Sequence, residues 1–301
     1  MTGTVRILQL SDTHFLEDGV DPEGGAAYNT SEAFDAVFGH IGDHDHLDMV
    51  VVTGDVADHG GVAEYRKAAD AFSQFRVPVN VCPGNHDFDA VFTSGMARPG
   101  VSTSRVVEVG PWAFLFVDSS AGTMLDQDNG LRIDPPGQDR LHTHGSLGAR
   151  EAAWVHQMCD TTSAEHVFVW LHHPPEPPVA MCRDDAYAAE WHEILGAHAK
   201  IRGFGGGHTH IPDDYALMGR PVFVSPSFKN NFSLDPQTWL PPGYRTYEFG
   251  ADGSITSEAV LVDDERWPRR PFGRLLGSLF RGEISFAEMD EIIARRSGAN
   301  D

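Results

Sequence analysis

Val5-Arg6-Ile7-Leu8-Gln9-Leu10-Ser11-Asp12-Thr13-His14 decides the fold: six residues that read as a buried strand run straight into a carboxylate and an imidazole. The same arrangement recurs down the chain. Met49–Thr53, continuous in valine and so buried on both faces, ends at Gly54-Asp55. Val77–Val81 runs past Pro83 to Gly84-Asn85-His86-Asp87. His166–Leu171 ends at His172-His173-Pro174-Pro175, and Ile201–Phe204 leads to Gly207-His208-Thr209-His210.

Helical spacing fills the gaps. Ser31–Ile41 places Phe34, Val37, Phe38 and Ile41 on one face, with Thr30 or Ser31 as cap. Ala63–Phe75 does the same through Tyr65, Ala68, Ala69 and Phe72. Strand–helix alternation predicts a parallel sheet covered by helices. From Arg105 the grain changes. Ser104–Val109 and Trp112–Asp118 flank Gly110-Pro111 as a hairpin. Helices are expected over Ala149–Met158 and Ala186–Ala197. Tyr215–Leu217, Pro221–Val224, Arg245–Phe249 and Ser254–Val262 then complete a second, more antiparallel half. The expected class is α/β: two facing mixed sheets with helices outside, a four-layer αββα sandwich. A polar, aperiodic stretch over Ala121–Ser146 interrupts it, and a loop of that length is usually functional or mobile.

Composition excludes some partners. The 301 residues are 41% hydrophobic, ample for a core, and carry a formal charge of −22. That charge argues against nucleic acid, which needs a basic face. It is compatible with a small phosphate ester, because bound metal ions reverse the field locally. Three scattered cysteines form no CxxC pair, as in a reduced, cytoplasmic protein. Neither a signal peptide nor a membrane span is expected.

Taken singly, each polar island has a bland reading: a turn aspartate, a solvated histidine, an asparagine bonded to its own backbone. Together they do not. Five islands sit at the C-terminal ends of strands, where ligands gather in open α/β sheets. In continued strand geometry residues two apart project to one side, so Asp12 with His14, and His208 with His210, can share an ion. One of His172 and His173 faces the site and the other packs or meets solvent; His172 is favoured, although spacing does not separate them. Nitrogen and oxygen donors without thiols suit two hard-to-borderline metals, and two metals a few Å apart clamp a phosphorus ester for in-line attack.

The pattern DxH…GD…GNHD…H…GHxH resembles the calcineurin-like metallophosphoesterase superfamily from Ile7 to about Val262. Ser227-Phe228-Lys229, Phe232-Ser233-Leu234-Asp235, Pro241-Pro242-Gly243-Tyr244-Arg245 and Asp252-Gly253 look like the C-terminal half of bacterial class III 3′,5′-cyclic nucleotide phosphodiesterases. Glycerophosphodiesterases share the metal residues and the Leu171–Pro175 segment. The resemblance implies one metal on Asp12, His14 and His210, and another on Asn85, His172 and His208. Asp55 and a water or hydroxide would bridge them. Iron, manganese and zinc are the usual metals. His86, beside Asn85 but assigned to no metal, would assist the leaving alkoxide. Asp58 would orient His86, or else face solvent as a loop carboxylate. His59 stands where Ser/Thr phosphatases carry an arginine, which disfavours that activity. Arg183-Asp184-Asp185 lacks the asparagine several relatives place near substrate. His142 and His144 line the entrance or, preferably, belong to a solvated loop.

The resemblance and the site imply hydrolysis of a small phosphodiester, 3′,5′-cyclic AMP first, to a 5′-nucleotide. A glycerophosphodiesterase and a non-catalytic scaffold are the alternatives; a scaffold loses metal ligands, and none is missing here. Loops 120–146 and 176–190 are where related phosphodiesterases are expected to differ. Residues 264–301 form an extension to a 1–263 catalytic domain. In it Phe272, Leu275, Leu276, Leu279 and Phe280 recur at helical spacing among Arg266, Arg269, Arg270, Arg274 and Arg281. Such a face suits cover for its own domain or a partner subunit, as in a homodimer, ahead of an anionic membrane.

Overall fold

The computed structural model describes residues 3–18, 29–87, 89–122, 144–267 and 269–297. The chain opens with β1 (Val5–Leu10), α1 (Thr30–Ile41), β2 (Met49–Thr53), α2 (Val62–Phe72), β3 (Val79–Cys82), α3 (Asp89–Gly95) and β4 (Val101–Ser102). These four strands pair in parallel, in that order. The chain then crosses to a second sheet through β5 (Val106–Val109) and β6 (Trp112–Phe116), the expected hairpin. There follow α4 (Gly148–Thr161), β7 (His166–Trp170), α5 (Asp185–Ala197), β8 (Ile201–Gly206), β9 (Asp213–Leu217) and β10 (Arg220–Val224). A separate hairpin, β11 (Asn231–Leu234) and β12 (Gln237–Leu240), precedes β13 (Gly243–Phe249) and β14 (Ile255–Leu261). The chain ends in α6 (Arg274–Phe280) and α7 (Phe286–Ser297).

Strand alternation builds four layers. Val5 and Ile7 of β1 meet Met49, Val51, Trp112, Phe114, Phe168, Trp170 and Phe249 between the sheets. Leu8 and Leu10, one position on, face the other way, onto Phe34 and Val37 of α1 and Tyr65, Ala68 and Phe72 of α2. On the far side, Leu115, Val167 and Val169 pack against Val155 of α4 and Trp191 and Ile194 of α5. The architecture is the αββα sandwich.

The second half is more antiparallel than the first, as expected, but not in the middle of its sheet. Its centre, β6-β7-β8-β10, is parallel, and only the edges β5 and β9 are antiparallel. The final hairpin returns to the first sheet, where β13 pairs antiparallel with β1. Tyr247 and Phe249 thereby enter the inter-sheet core. The α1 cap is Asn29, whose Oδ1 accepts from the backbone N–H of Ser31 and Glu32 at 2.9 and 3.2 Å, not Thr30 or Ser31. Helix α2 stops at Phe72 rather than Phe75. The elements α3, β4, β11 and β12 are too short for periodicity to reveal.

The tail's apolar face lies on its own chain. Phe272 and Phe280 pack with Phe232, Val179, Cys182 and Ile211. Among the described residues no helix is long and apolar enough to cross a membrane. Loop residues 123–143, His142 included, lie outside the described residues, and His144 is exposed.

Phe34 is 3% exposed and meets the rings of Phe15, Phe38, Phe72 and Phe228 at 5.6–6.3 Å between centroids. Phe34→Ala is therefore expected to cost about 3–5 kcal/mol of stability, read as a lower urea midpoint at unchanged slope.

Candidate metal centre

The polar islands converge where the two sheets' strand ends meet. Asp12 and His14 follow β1, Asp55 follows β2, Asn85 and His86 follow β3, His172 follows β7, and His208 and His210 follow β8. Continued strand geometry does not bring Asp12 to His14. Asp12, His14, Asp55, His208 and His210 all adopt left-handed backbone, with φ of 52°, 41°, 48°, 67° and 53°. Each such conformation costs an L-residue roughly 1–2 kcal/mol and persists only where surroundings over-determine it. Here the loops interlock. The N–H groups of Asp12 and His14 donate to the carbonyls of Gly54 and Asp55 at 3.1 and 2.8 Å. His208 N–H donates to the Asp12 carboxylate at 3.1 Å. Gly54 needs to be glycine twice over: its φ is 80°, and a Cβ there would lie 2.7 Å from His172 Cβ.

Four imidazoles obey one rule. His14 Nδ1 lies 2.7 Å from Asp58 Oδ1, His86 Nδ1 2.7 Å from the Asp58 carbonyl, and His172 Nδ1 2.9 Å from the Thr53 carbonyl. His210 Nδ1 meets Asn230 Oδ1. Each partner oxygen only accepts, so each Nδ1 carries a proton and donates it. Every Nε2 then turns to the two central carboxylates. His210 Nε2 is 3.1 Å from Asp12 Oδ1. The Nε2 atoms of His14, His86 and His172 are 3.5, 3.8 and 3.2 Å from Asp55 Oδ2.

His172 Nε2 is also 3.0 Å from Asn85 Oδ1 and 3.2 Å from His208 Nδ1. Asp55 Oδ2, Asn85 Oδ1 and His208 Nδ1 thus crowd one imidazole nitrogen, a place that a proton or a metal ion satisfies. His14 Nε2 is buried without a hydrogen-bond partner. Four donor clusters result: Asp12–His14–His210, Asp12–Asp55–His172, His14–Asp55–His86 and His172–His173–His208. Within each, donor atoms lie within 4.8 Å of one another. Asp55 belongs to clusters on both sides. Oxygen and imidazole donors suit the borderline divalent metals. The residues fit metal ions.

Electrostatics agrees. Burial would raise the Asp12 and Asp55 carboxyls, yet the imidazoles outweigh it: His210 holds Asp12 at about 2, and His172 with His86 holds Asp55 well below the usual range. Burial would depress His172, but Asp55 raises it to about 9. Burial does prevail at His14, lowered to about 4, which leaves its Nε2 lone pair available at neutral pH.

Several expectations need correction. Asp58 does not face solvent, being 7% exposed. It holds His86 through its main-chain carbonyl, while its carboxylate bonds His14 and accepts from Lys229 Nζ at 2.7 Å. The reason is reach: the carboxylate is 3.9 Å from His86 Nδ1 but 2.7 Å from His14. His173 packs, as one branch of the expectation had it, but beside the centre rather than away from it. It is 2% exposed, its ring lies 4.3 Å from that of His208, and Ser119 Oγ is 2.9 Å from its Nδ1. Asp87 turns from the centre and accepts from the N–H groups of Gly84, Val56 and Ala57. Asp184 caps α5 through Tyr187 N–H. Lys229 and Asn230 were missed as site residues; the segment beginning at Ser227 was a signal without a role.

This fold and centre define a class. Residues 5–212 match the family model for calcineurin-like phosphoesterases, and the chain belongs to that family. It is a metallophosphoesterase, a hydrolase of a family that uses divalent metal ions, and it carries residue groups that could hold them. The 3′,5′-cyclic adenosine monophosphate phosphodiesterase CpdA of Escherichia coli K12 is 30% identical over 275 residues, covering 87% of this chain and 92% of that one. A probable cyclic nucleotide phosphodiesterase of Synechococcus is 25% identical over 267 residues, covering 87% and 94%. Among solved structures, a dimetal phosphatase from Danio rerio aligns with a TM-score of 0.53 at 14% identity, over 84% of this chain and 98% of that one. The Plasmodium inner-membrane-complex anchor GAP50 aligns at 0.56 and 12%, over 89% of each. At these identities the structural likeness is one of fold.

Asp55→Ala is expected to abolish tight manganese binding, read by equilibrium dialysis; two ions at wild-type affinity would remove Asp55 from the centre. A second expectation concerns pH. Metal-free His172 keeps its extra proton up to about pH 9, and ligation requires neutral imidazole. Apparent manganese affinity should therefore climb as pH rises toward that value and flatten above it. Calorimetry in two buffers of different ionisation enthalpy would detect the released proton.

Proposed function

We propose that the chain is a binuclear-metal phosphodiesterase that hydrolyses 3′,5′-cyclic nucleotides, cyclic AMP first, to 5′-nucleotides. The observation that carries the reading is Asp55. It is the carboxylate that His14, His86 and His172 approach together, as a ligand shared by two ions would be. Asp12, His14 and His210 would hold one ion, and Asn85, His172 and His208 the other. When bound, the pair supplies positive charge for the phosphoryl oxygens and acidifies water. Iron, manganese and zinc all suit the donors.

The protein's own part is orientation and proton transfer. His86 is fixed at both ends: its N–H donates to Asp55 Oδ1 at 3.0 Å and its Nδ1–H to the Asp58 carbonyl. Its side chain is 16% exposed, against 2% for His14 and 3% for Asp55. In the protonated state Nε2–H gives its proton to the 3′ oxygen as the P–O3′ bond breaks. The imidazole then regains a proton from solvent. His59, 57% exposed and paired with Glu64, contributes no guanidinium grip of the kind a phosphomonoester requires. Substrate preference follows the cyclic nucleotide phosphodiesterases named above, to which the chain is similar along most of its length.

A manganese-loaded preparation tested on cyclic AMP, cyclic GMP, 2′,3′-cyclic AMP, glycerophosphocholine and a nitrophenyl diester should favour the 3′,5′-cyclic nucleotides. Preference for glycerophosphocholine by orders of magnitude would overturn the assignment. His86→Ala should keep its manganese while kcat falls by about 10²–10⁴-fold.

A further inference from the structure

The segment Ser227–Asn231, between β10 and β11, touches the centre at three points. Phe228 N–H donates to the Asp12 carbonyl at 3.1 Å. Lys229 Nζ donates to Asp58 Oδ1 at 2.7 Å, and that same oxygen accepts from His14 Nδ1. Asn230 Oδ1 accepts from His210 Nδ1. Asp12, His14 and His210 form one of the donor clusters. No contact of comparable kind runs from this segment to Asn85, His172 or His208 among those described.

The segment is built to stay put. Asn231, fully buried, brackets it: Oδ1 accepts from Ser227 N–H at 2.6 Å, while Nδ2 donates to the carbonyls of Ser227 and Pro241 at 3.0 and 2.7 Å. Ser227 Oγ accepts from Lys229 N–H at 3.0 Å. Phe228 is fully buried in the core between the first sheet and its helices.

Resting on the metal reading above, we propose that Lys229 and Asn230 are positioning residues that set the affinity of the Asp12–His14–His210 ion and leave the other ion's site alone. Asn230 fixes the ring of His210 directly. Lys229 acts through Asp58. A buried carboxylate is held by its partners, and with Lys229 on one side the Asp58 oxygen has a fixed place from which to hold His14. Remove Lys229, and Asp58 is free to swing, releasing Nδ1 of His14. Outer partners of this kind change metal affinity by about 10–100-fold.

The test uses the full chain, stripped with chelator and reloaded with manganese alone. Equilibrium dialysis with elemental analysis gives stoichiometry and affinity; electron paramagnetic resonance separates a lone manganese from a coupled pair. Wild type should bind two ions and show the coupled signal. Lys229→Met and Asn230→Ala should keep one tight ion, weaken the second about 10–100-fold, and show the mononuclear signal. Lys229→Arg and Asn230→Asp, which preserve donor and acceptor, should restore the pair. Asn85→Ala should weaken the opposite ion, so the Asn85→Ala/Asn230→Ala double variant should lose both. Should Asn230→Ala not fold, Asn230→Leu against Asn230→Asp makes the same comparison. Two ions at wild-type affinity in Lys229→Met and Asn230→Ala would overturn the proposal, and so would equal weakening of both ions. Fewer than two ions in the wild type would overturn the metal reading instead.

Discussion

The centre depends on a crowd of electron-rich atoms held together in a buried space. The carboxylates of Asp12 and Asp55 are almost wholly buried and meet the imidazoles of His14, His172 and His210. Like charges and lone pairs at these distances repel in a medium that screens them poorly. Positive charge must sit among them. In the metal-free protein, protons supply it, which is why burial fails to depress His172 and His210 and their pKa values rise instead. Metal ions held by these residues would replace those protons. The binding free energy of such ions would therefore include what the fold spends to keep the crowd assembled.

That cost is visible in the backbone. Five of the seven proposed ligands take left-handed φ, and no single loop could enforce this. The β1 and β2 loops pair along their edges: after the Asp12 and His14 bonds, Phe15 N–H donates to the Val56 carbonyl at 2.8 Å. The β3 loop is tied to the β2 loop by Asp87, fully buried and bonded to Val56 and Ala57. Burial and the neighbouring Asp55 push the Asp87 carboxyl up to about 6, which its hydrogen bonds oppose. The three hydrophobic layers offset this strain, so stability and catalytic geometry draw on the same core.

Much of this was legible because strands and their exits carry strong local signals. Met49–Thr53 has five consecutive buried residues and admits only one reading, and β1 and β2 have the boundaries their sequence predicts. Element type survives from periodicity; partner choice does not. Nothing local to Arg245–Phe249 says that it lies beside β1 rather than β10, because that pairing spans more than two hundred residues. The i, i+2 rule brought Asp12 to His14 for the wrong reason, since left-handed turns replaced strand geometry. Asp58, Lys229 and Asn230 were opaque for a related reason. Their roles arise from which side chain a neighbour's oxygen can reach, 2.7 Å to His14 against 3.9 Å to His86 for the Asp58 carboxylate, and spacing does not encode that.

Where the two sheets sit relative to each other matters more than either alone. Asp12, His14, Asp55, Asn85 and His86 extend from the first sheet, whereas His172, His208 and His210 extend from the second. Both proposed ion sites therefore straddle the interface, and a slide of one sheet would disturb both. A polar stitch just beneath the centre opposes such a slide. Gln9, fully buried, donates through Nε2 to Thr53 Oγ1 at 2.7 Å and, across the gap, to the Gly206 carbonyl at 2.9 Å. Its Oε1 accepts from Tyr247 at 2.6 Å. His172 makes a second crossing through its bond to the Thr53 carbonyl. Apolar packing between the sheets has no direction and tolerates small shifts; hydrogen bonds of fixed geometry do not. A polar residue placed in an otherwise apolar interface, where leucine would pack, makes physical sense when register has to be held to within a metal–ligand bond length.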